Sequence, residues 1–89
     1  MAEIISGNPY MEHGDIRTFS TEHAEEEFVW HKDKEKRRVT VISGEAWQFQ
    51  WDESIPMLLK EGHMFVIPAM TYHRLIKGKT DLVLKVERL

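Results

Sequence analysis

From Arg38 to Leu89 the chain is a succession of short β-branched and aromatic runs. "RVTVIS" is closed by Gly44, "AWQFQW" by "DESIP", "MFVIP" by its own proline, and "DLVLKVERL" is preceded by the turn "KGKTD". Runs of this length suit strands and are too short for stable helices. Placed about 8–12 residues apart, they predict an all-β sandwich or barrel. The strictest alternation lies in "EAWQFQW", which sets Trp47, Phe49 and Trp51 on one face and Ala46, Gln48 and Gln50 on the other. Alternation separates the two faces without saying which is inward, because a slip of one residue exchanges them.

The 89 residues are enough for a single domain, 1–89, with residues 1–26 as an N-terminal arm and strands. Gly7, Asn8, Pro9 and Gly14 predict an irregular start with at most one short strand, "EII". "IRTF" reads as a strand, "STEHAEEE" as a helical turn capped by Ser20 or Thr21, and "EFVWH" as a further strand. With no cysteine, neither disulfides nor thiolate metal sites are available. Twelve Lys+Arg against 15 Asp+Glu give a net charge of −3, which argues against a general nucleic-acid binder. The first residues lack a basic stretch followed by an apolar one, and no apolar run approaches the ~20 residues of a membrane span. The expectation is a cytoplasmic protein with no membrane partner. A core this small would gain from pairing with a second copy.

The chemistry begins at His31 and Asp33. On a strand, residues two apart share a face at about 7 Å, so both side chains can converge on one ion. His73, which follows a run from Gly62 to Pro68, is the candidate third ligand. Two histidines and one carboxylate form the facial set that leaves open positions on a non-haem metal. Spacing alone is equally consistent with three ordinary polar residues at strand ends.

Two longer patterns add weight. "HKDKEKRRVTVISG" fits H-x-H-x3-E-x6-G through His31, Asp33, Arg37 and Gly44, and "GHMFVIPAMTYH" fits G-x5-P-x-G-x2-H through Gly62, Pro68 and His73, with Met70 at the last glycine. In these patterns the chain resembles a small single-domain cupin, over residues 27–77, with 17 residues between Gly44 and Gly62. The resemblance implies a cupin jelly roll. Metal-binding cupins use two His, one Glu and a final His; here His31 and His73 are kept, Asp33 replaces a His, and Arg37 replaces the Glu. Asp33 remains a competent ligand. Arg37 does not, since a guanidinium has donors only and stays charged.

Register points Arg37 inward with Val39 and Val41. There it either pairs with Asp33 or grips a carboxylate or phosphate of a small ligand in bidentate fashion. Its neighbours Lys32, Lys34, Lys36 and Arg38 read as a solvated face near Glu25, Glu26 and Glu27. By the cupin register Gln48 and Gln50 would also line the pocket. Trp47, Phe49 and Trp51 would then face outward and be covered in a homodimer; a register slipped by one would make them core instead. Trp30 reads as core, Tyr72 as a rim or packing residue, His63 as a turn residue, and His13 and His23 as exposed. Met57, Met64 and Met70 read as packing residues, and Met70 could narrow the pocket.

Three functions follow. The first is a barrel that binds a small polar or anionic molecule without a tightly held metal, lined by His31, Asp33, Arg37, Gln48, Gln50 and His73. In the second, a metal-dependent enzyme holds Fe, Mn, Ni or Zn on His31, Asp33 and His73. The third is a structural or interaction protein using the Trp47, Phe49, Trp51 face. No residue pattern chooses a substrate or a reaction.

Overall fold

The computed structural model describes residues 11–22 and 28–89, with side chains from Gly14 onward. The expected strand "EII", His23, Glu25–Glu27 and most of the expected helical turn fall outside them. Among the described residues there are eight strands: β1 (Met11–His13), β2 (Ile16–Phe19), β3 (Arg37–Ser43), β4 (Gln48–Trp51), β5 (Met57–Leu58), β6 (Met64–Ile67), β7 (His73–Ile76) and β8 (Leu82–Arg88). They form a five-stranded sheet ordered β1-β2-β8-β3-β6 and a three-stranded sheet ordered β5-β4-β7, antiparallel throughout. The all-β expectation holds. No helix among the described residues is long and apolar enough to cross a membrane.

The core lies between the sheets, and period-two alternation explains its membership. Val39 and Val41 of β3 face inward, and pairing sets them opposite Val86 and Leu84 of β8. Trp47, Phe49, Leu59 and Leu75 meet them from the smaller sheet, all buried.

The aromatic strand corrects the cupin-register expectation. Trp47 is 0% exposed and Phe49 3%, and Trp51 packs beside Phe49 with ring centroids 4.7 Å apart. The face expected to meet a second copy is therefore the chain's own core. The reason lies in the preceding turn. Gly44 has φ 146° and Ala46 φ 63°, so the backbone is not extended there and a count of alternate residues from Gly44 loses phase before β4 starts. A shift in the β3–β8 pairing between Val41 and Ser43 adjoins the same turn. Only glycine suits position 44, where a Cβ would lie 2.7 Å from Leu82 Cδ1 and 3.3 Å from Leu82 Cα.

Of "EFVWH", the described residues 28–31 form no strand. Only His31 pairs, in an isolated bridge to His73. With alternation absent, Val29 and Trp30 are exposed rather than core, Trp30 lying under the Arg74 guanidinium at 4.7 Å, while Phe28 packs against the core beside Trp47.

Candidate metal centre

The His31–His73 bridge assembles the site. The His31 N–H donates to the His73 carbonyl at 3.0 Å, and the His73 N–H donates back at 2.8 Å. A reciprocal antiparallel pair carries its two side chains on the same face. The imidazoles accordingly meet edge to face, with centroids 4.4 Å apart. Asp33 arrives by another route. It lies in the loop beyond the bridge, not on a strand, and its carbonyl accepts the Met70 N–H at 2.7 Å. Met70 adopts φ 61°, the left-handed conformation for which a glycine would be the easier residue. The turn before β7 thus fixes Asp33 from one side and delivers His73 from the other.

One donor atom from each of His31, Asp33 and His73 lies within 4.8 Å of the others. His73 Nε2 is 3.4 Å from Asp33 Oδ2, close to the ~3.0–3.4 Å separating neighbouring ligands on an ion with bonds of about 2.0–2.1 Å. Both imidazoles are oriented from behind. His31 Nδ1 donates to the Val29 carbonyl at 2.9 Å, and His73 Nδ1 donates to the Thr71 carbonyl at 2.8 Å. A carbonyl only accepts, so each Nδ1 carries a hydrogen and Nε2 is the nitrogen able to ligate. Phe49 stacks on His73 at 5.3 Å with an 18° interplanar angle, and Trp51 meets it edge-on at 6.4 Å. The aromatic strand therefore clamps the His73 ring.

Arg37 points inward, as its register predicts, and Nη1 lies 3.5 Å from Asp33 Oδ2, the same oxygen that faces His73. The Asp33 carboxyl is held below its usual value of 3.8, chiefly by the hydrogen bond with His73. Burial opposes that shift; the charges of Arg37, His73 and His31 add to it. Asp33 is a carboxylate at neutral pH.

Behind Asp33 and His73 runs a narrow cavity of about 40 Å³ between the sheets. Arg17, Arg37, Asp33 and His73 form its polar lining, and Phe19, Phe65 and Leu84 are among its apolar walls. Arg17 carried no sequence signal. It faces inward because β2 pairs with β8, setting Arg17 opposite the buried Leu84. Gln48 and Gln50 do not line the cavity, for the register reason given above. The Gln50 amide donates to the Ser54 carbonyl at 2.8 Å and its oxygen accepts from Arg74 Nε at 2.9 Å. Met70 and Tyr72 are exposed, and neither lines the cavity. Met57 packs against the core, but Met64 is exposed. The His63 N–H donates to the Lys60 carbonyl at 2.9 Å, as a turn residue should.

The cations beside Arg37 are outward or paired. Arg38 reaches both Glu87 oxygens at 3.2 Å, and the Lys32 ammonium lies 5.0 Å from the centre of the Tyr72 ring. Glu35 takes Arg88 at 3.1 Å. Of the cations in the run "KDKEKRR", Arg37 alone lines the cavity.

No family model matches the sequence, and no curated protein matches it. Among solved structures the chain is similar to a protein of Neisseria meningitidis, at 16% identity and TM-score 0.60, covering 100% of this chain and 84% of that one. It is also similar to a cupin-2 domain containing protein of Shewanella frigidimarina, at 20% identity and TM-score 0.55, covering 88% and 74%. The two-sheet architecture and these likenesses define the class: the fold is the cupin jelly roll that the two sequence patterns imply.

Proposed function

We propose that this chain is a small-ligand-binding cupin whose barrel mouth holds one divalent cation on His31, Asp33 and His73. The sequence alone favours a metal-free barrel, and one observation reverses that order. With Nδ1–H of His73 committed to a carbonyl, Nε2 faces an ionised carboxylate at 3.4 Å, and only a cation on Nε2, a proton or a metal ion, makes that approach attractive. A lone pair and an anion repel at that distance unless a cation lies between them. Two imidazole nitrogens and one carboxylate suit Fe(II), Mn(II), Ni(II) or Zn(II).

Such an ion would supply Lewis acidity and open coordination positions. The chain's own residues do the rest. The carbonyls of Val29 and Thr71 hold both imidazoles in one tautomer, Phe49 and Trp51 fix the His73 ring, and Arg37 steadies Asp33 while presenting positive charge to an incoming anion.

A second reading keeps the site metal-free, with the cation a proton on His73. The approach of Arg37 Nη1 to Asp33 Oδ2 at 3.5 Å favours it, because that pair alone neutralises the carboxylate. An interaction protein working through Trp47 and Phe49 has no support, since both are buried within the chain.

Calorimetric titration of chelator-treated protein with each of the four ions separates the readings. The expected result is one ion per chain, a raised melting temperature, and loss of both in His73→Ala. Absence of binding by all four ions under anaerobic conditions would remove the metal and leave the proton-bridged site.

A further inference from the structure

Arg37 does more than neutralise Asp33. Its Nε is buried and has no hydrogen-bond partner, although Nη1 reaches the carboxylate. A guanidinium N–H enclosed without an acceptor is costly, and that cost falls only when an acceptor enters. Arg37 also lines the cavity, as does Arg17, which enters from β2 on the five-stranded sheet. Two guanidiniums, one carboxylate and the His73 imidazole thus face a space whose remaining walls, Phe19, Phe65 and Leu84 among them, are apolar. Asp33 meets Arg37 through Nη1, which leaves the Arg37 Nε–H for another anion.

We propose that the cavity takes a short aliphatic monocarboxylate, with its carboxylate held by the inward edge of Arg37 beside Arg17 and its hydrocarbon end between the sheets. The proposal rests on the ligand-binding reading above but not on the metal. A planar fork matches a carboxylate in two parallel hydrogen bonds, which favours it over a spherical anion. Size follows from the volume. A space of about 40 Å³ has room for more than a single water and is small for a sugar or nucleotide, which makes acetate, propanoate and butyrate the ligands to try first. Phenylalanine and leucine walls reward a hydrocarbon tail over a second charged group, which sets monocarboxylates above dicarboxylates.

The test is titration of metal-free protein with acetate, propanoate, butyrate and octanoate, followed by amide and arginine Nε–Hε resonances. Propanamide, chloride and sulfate serve as controls. Saturable binding of the short carboxylates is expected, with movement of the Arg37 Nε–Hε signal and none of these effects from the controls. Affinity should fall at least tenfold in Arg37→Gln and several-fold in Arg17→Gln. Should Arg37→Gln fail to fold, movement of the wild-type Arg37 signal decides the matter. Equal binding of propanamide, equal binding of sulfate, tighter binding of octanoate, or an unchanged affinity in folded Arg37→Gln would each overturn the proposal. The metal titration is independent. An ion bound without carboxylate binding sinks this inference alone, and carboxylate binding without an ion sinks only the metal.

Discussion

The two ends of the barrel are built on opposite rules. At the closed end, around Gly44, Trp47, Gly78 and Leu82, Trp47 and Leu82 are fully buried and the polar groups find neutral partners. Trp47 Nε1 donates to the Thr80 carbonyl at 2.6 Å, the Lys79 N–H to the Glu45 carbonyl at 2.8 Å, and the Glu45 N–H to the Thr80 hydroxyl at 3.1 Å. At the open end two side chains, Arg37 and His73, crowd one carboxylate oxygen, and a guanidinium N–H is left enclosed without a partner. Packing is complete at one end and deliberately unfinished at the other. Stability and chemistry are thereby separated along one axis, and substitutions at the two ends should fail in different ways.

The largest effect belongs to the closed end. Gly78 passes so near the turn before β4 that a Cβ there would clash with the Glu45 carbonyl oxygen and with Trp47 Cδ1, and would approach Trp47 N to 2.7 Å. Two of those atoms are backbone and cannot rotate away. Gly78→Ala should cost about 3 kcal/mol, read as a lowered melting temperature. If metal binding is titrated below that temperature, the ion affinity should be unchanged. A variant of normal stability would show that this end is not close-packed.

Asp33→Asn should have a smaller effect and one that depends on pH. Removing the charge deprives Arg37 of its ionic partner, at about 1.5 kcal/mol near neutral pH. The folded Asp33 binds its proton less readily than the unfolded one, so its contribution is complete above the usual value of 3.8 and is lost as pH falls through the lower folded value. The stability gap between metal-free wild type and Asp33→Asn should therefore close below about pH 4. Urea unfolding at several pH values measures it; a gap that persists at low pH would place the effect in packing instead of charge.

How much of each end was legible follows from which interactions were local. Strands 37–43, 64–67, 73–76 and 82–88 carried their own alternation, and the glycine-to-proline run placed the turn that delivers His73. Arg37 was readable because it lies in phase with Val39 and Val41 on an unbroken strand. Gln48 and Gln50 were misplaced because phase had to be carried through Ala46, whose left-handed backbone no residue type announces. Trp30 failed for a related reason: a residue beside a single bridge has no strand to alternate along. Arg17 was invisible, since its inward aspect depends on β2 pairing with β8, far off in sequence. Asp33 does meet His31 and His73, though not by the geometry its spacing suggests. Its position comes from the Met70 N–H and not from a shared strand face.

That last contact yields the smallest and sharpest comparison of the two ends. Gly44 and Met70 both sit in turns with positive φ, but only Gly44 is forbidden a side chain by its neighbours. The Met70 side chain is 55% exposed, so the residue bears the left-handed conformation without an evident packing return. Relief of that strain by glycine is worth roughly 1–2 kcal/mol, offset by up to about 1 kcal/mol of unfolded-chain entropy. Met70→Gly should therefore stabilise the fold by about 0.5 kcal/mol, a shift in melting temperature of a few degrees. Its influence on the site should run the other way. A looser turn holds the Asp33 carbonyl less firmly, so amide exchange at residue 70 should quicken while the protein as a whole becomes harder to unfold. Stabilisation with slower exchange at residue 70 would mean that methionine strains the turn without positioning Asp33. A loss of stability would mean that the exposed side chain contributes contacts of its own.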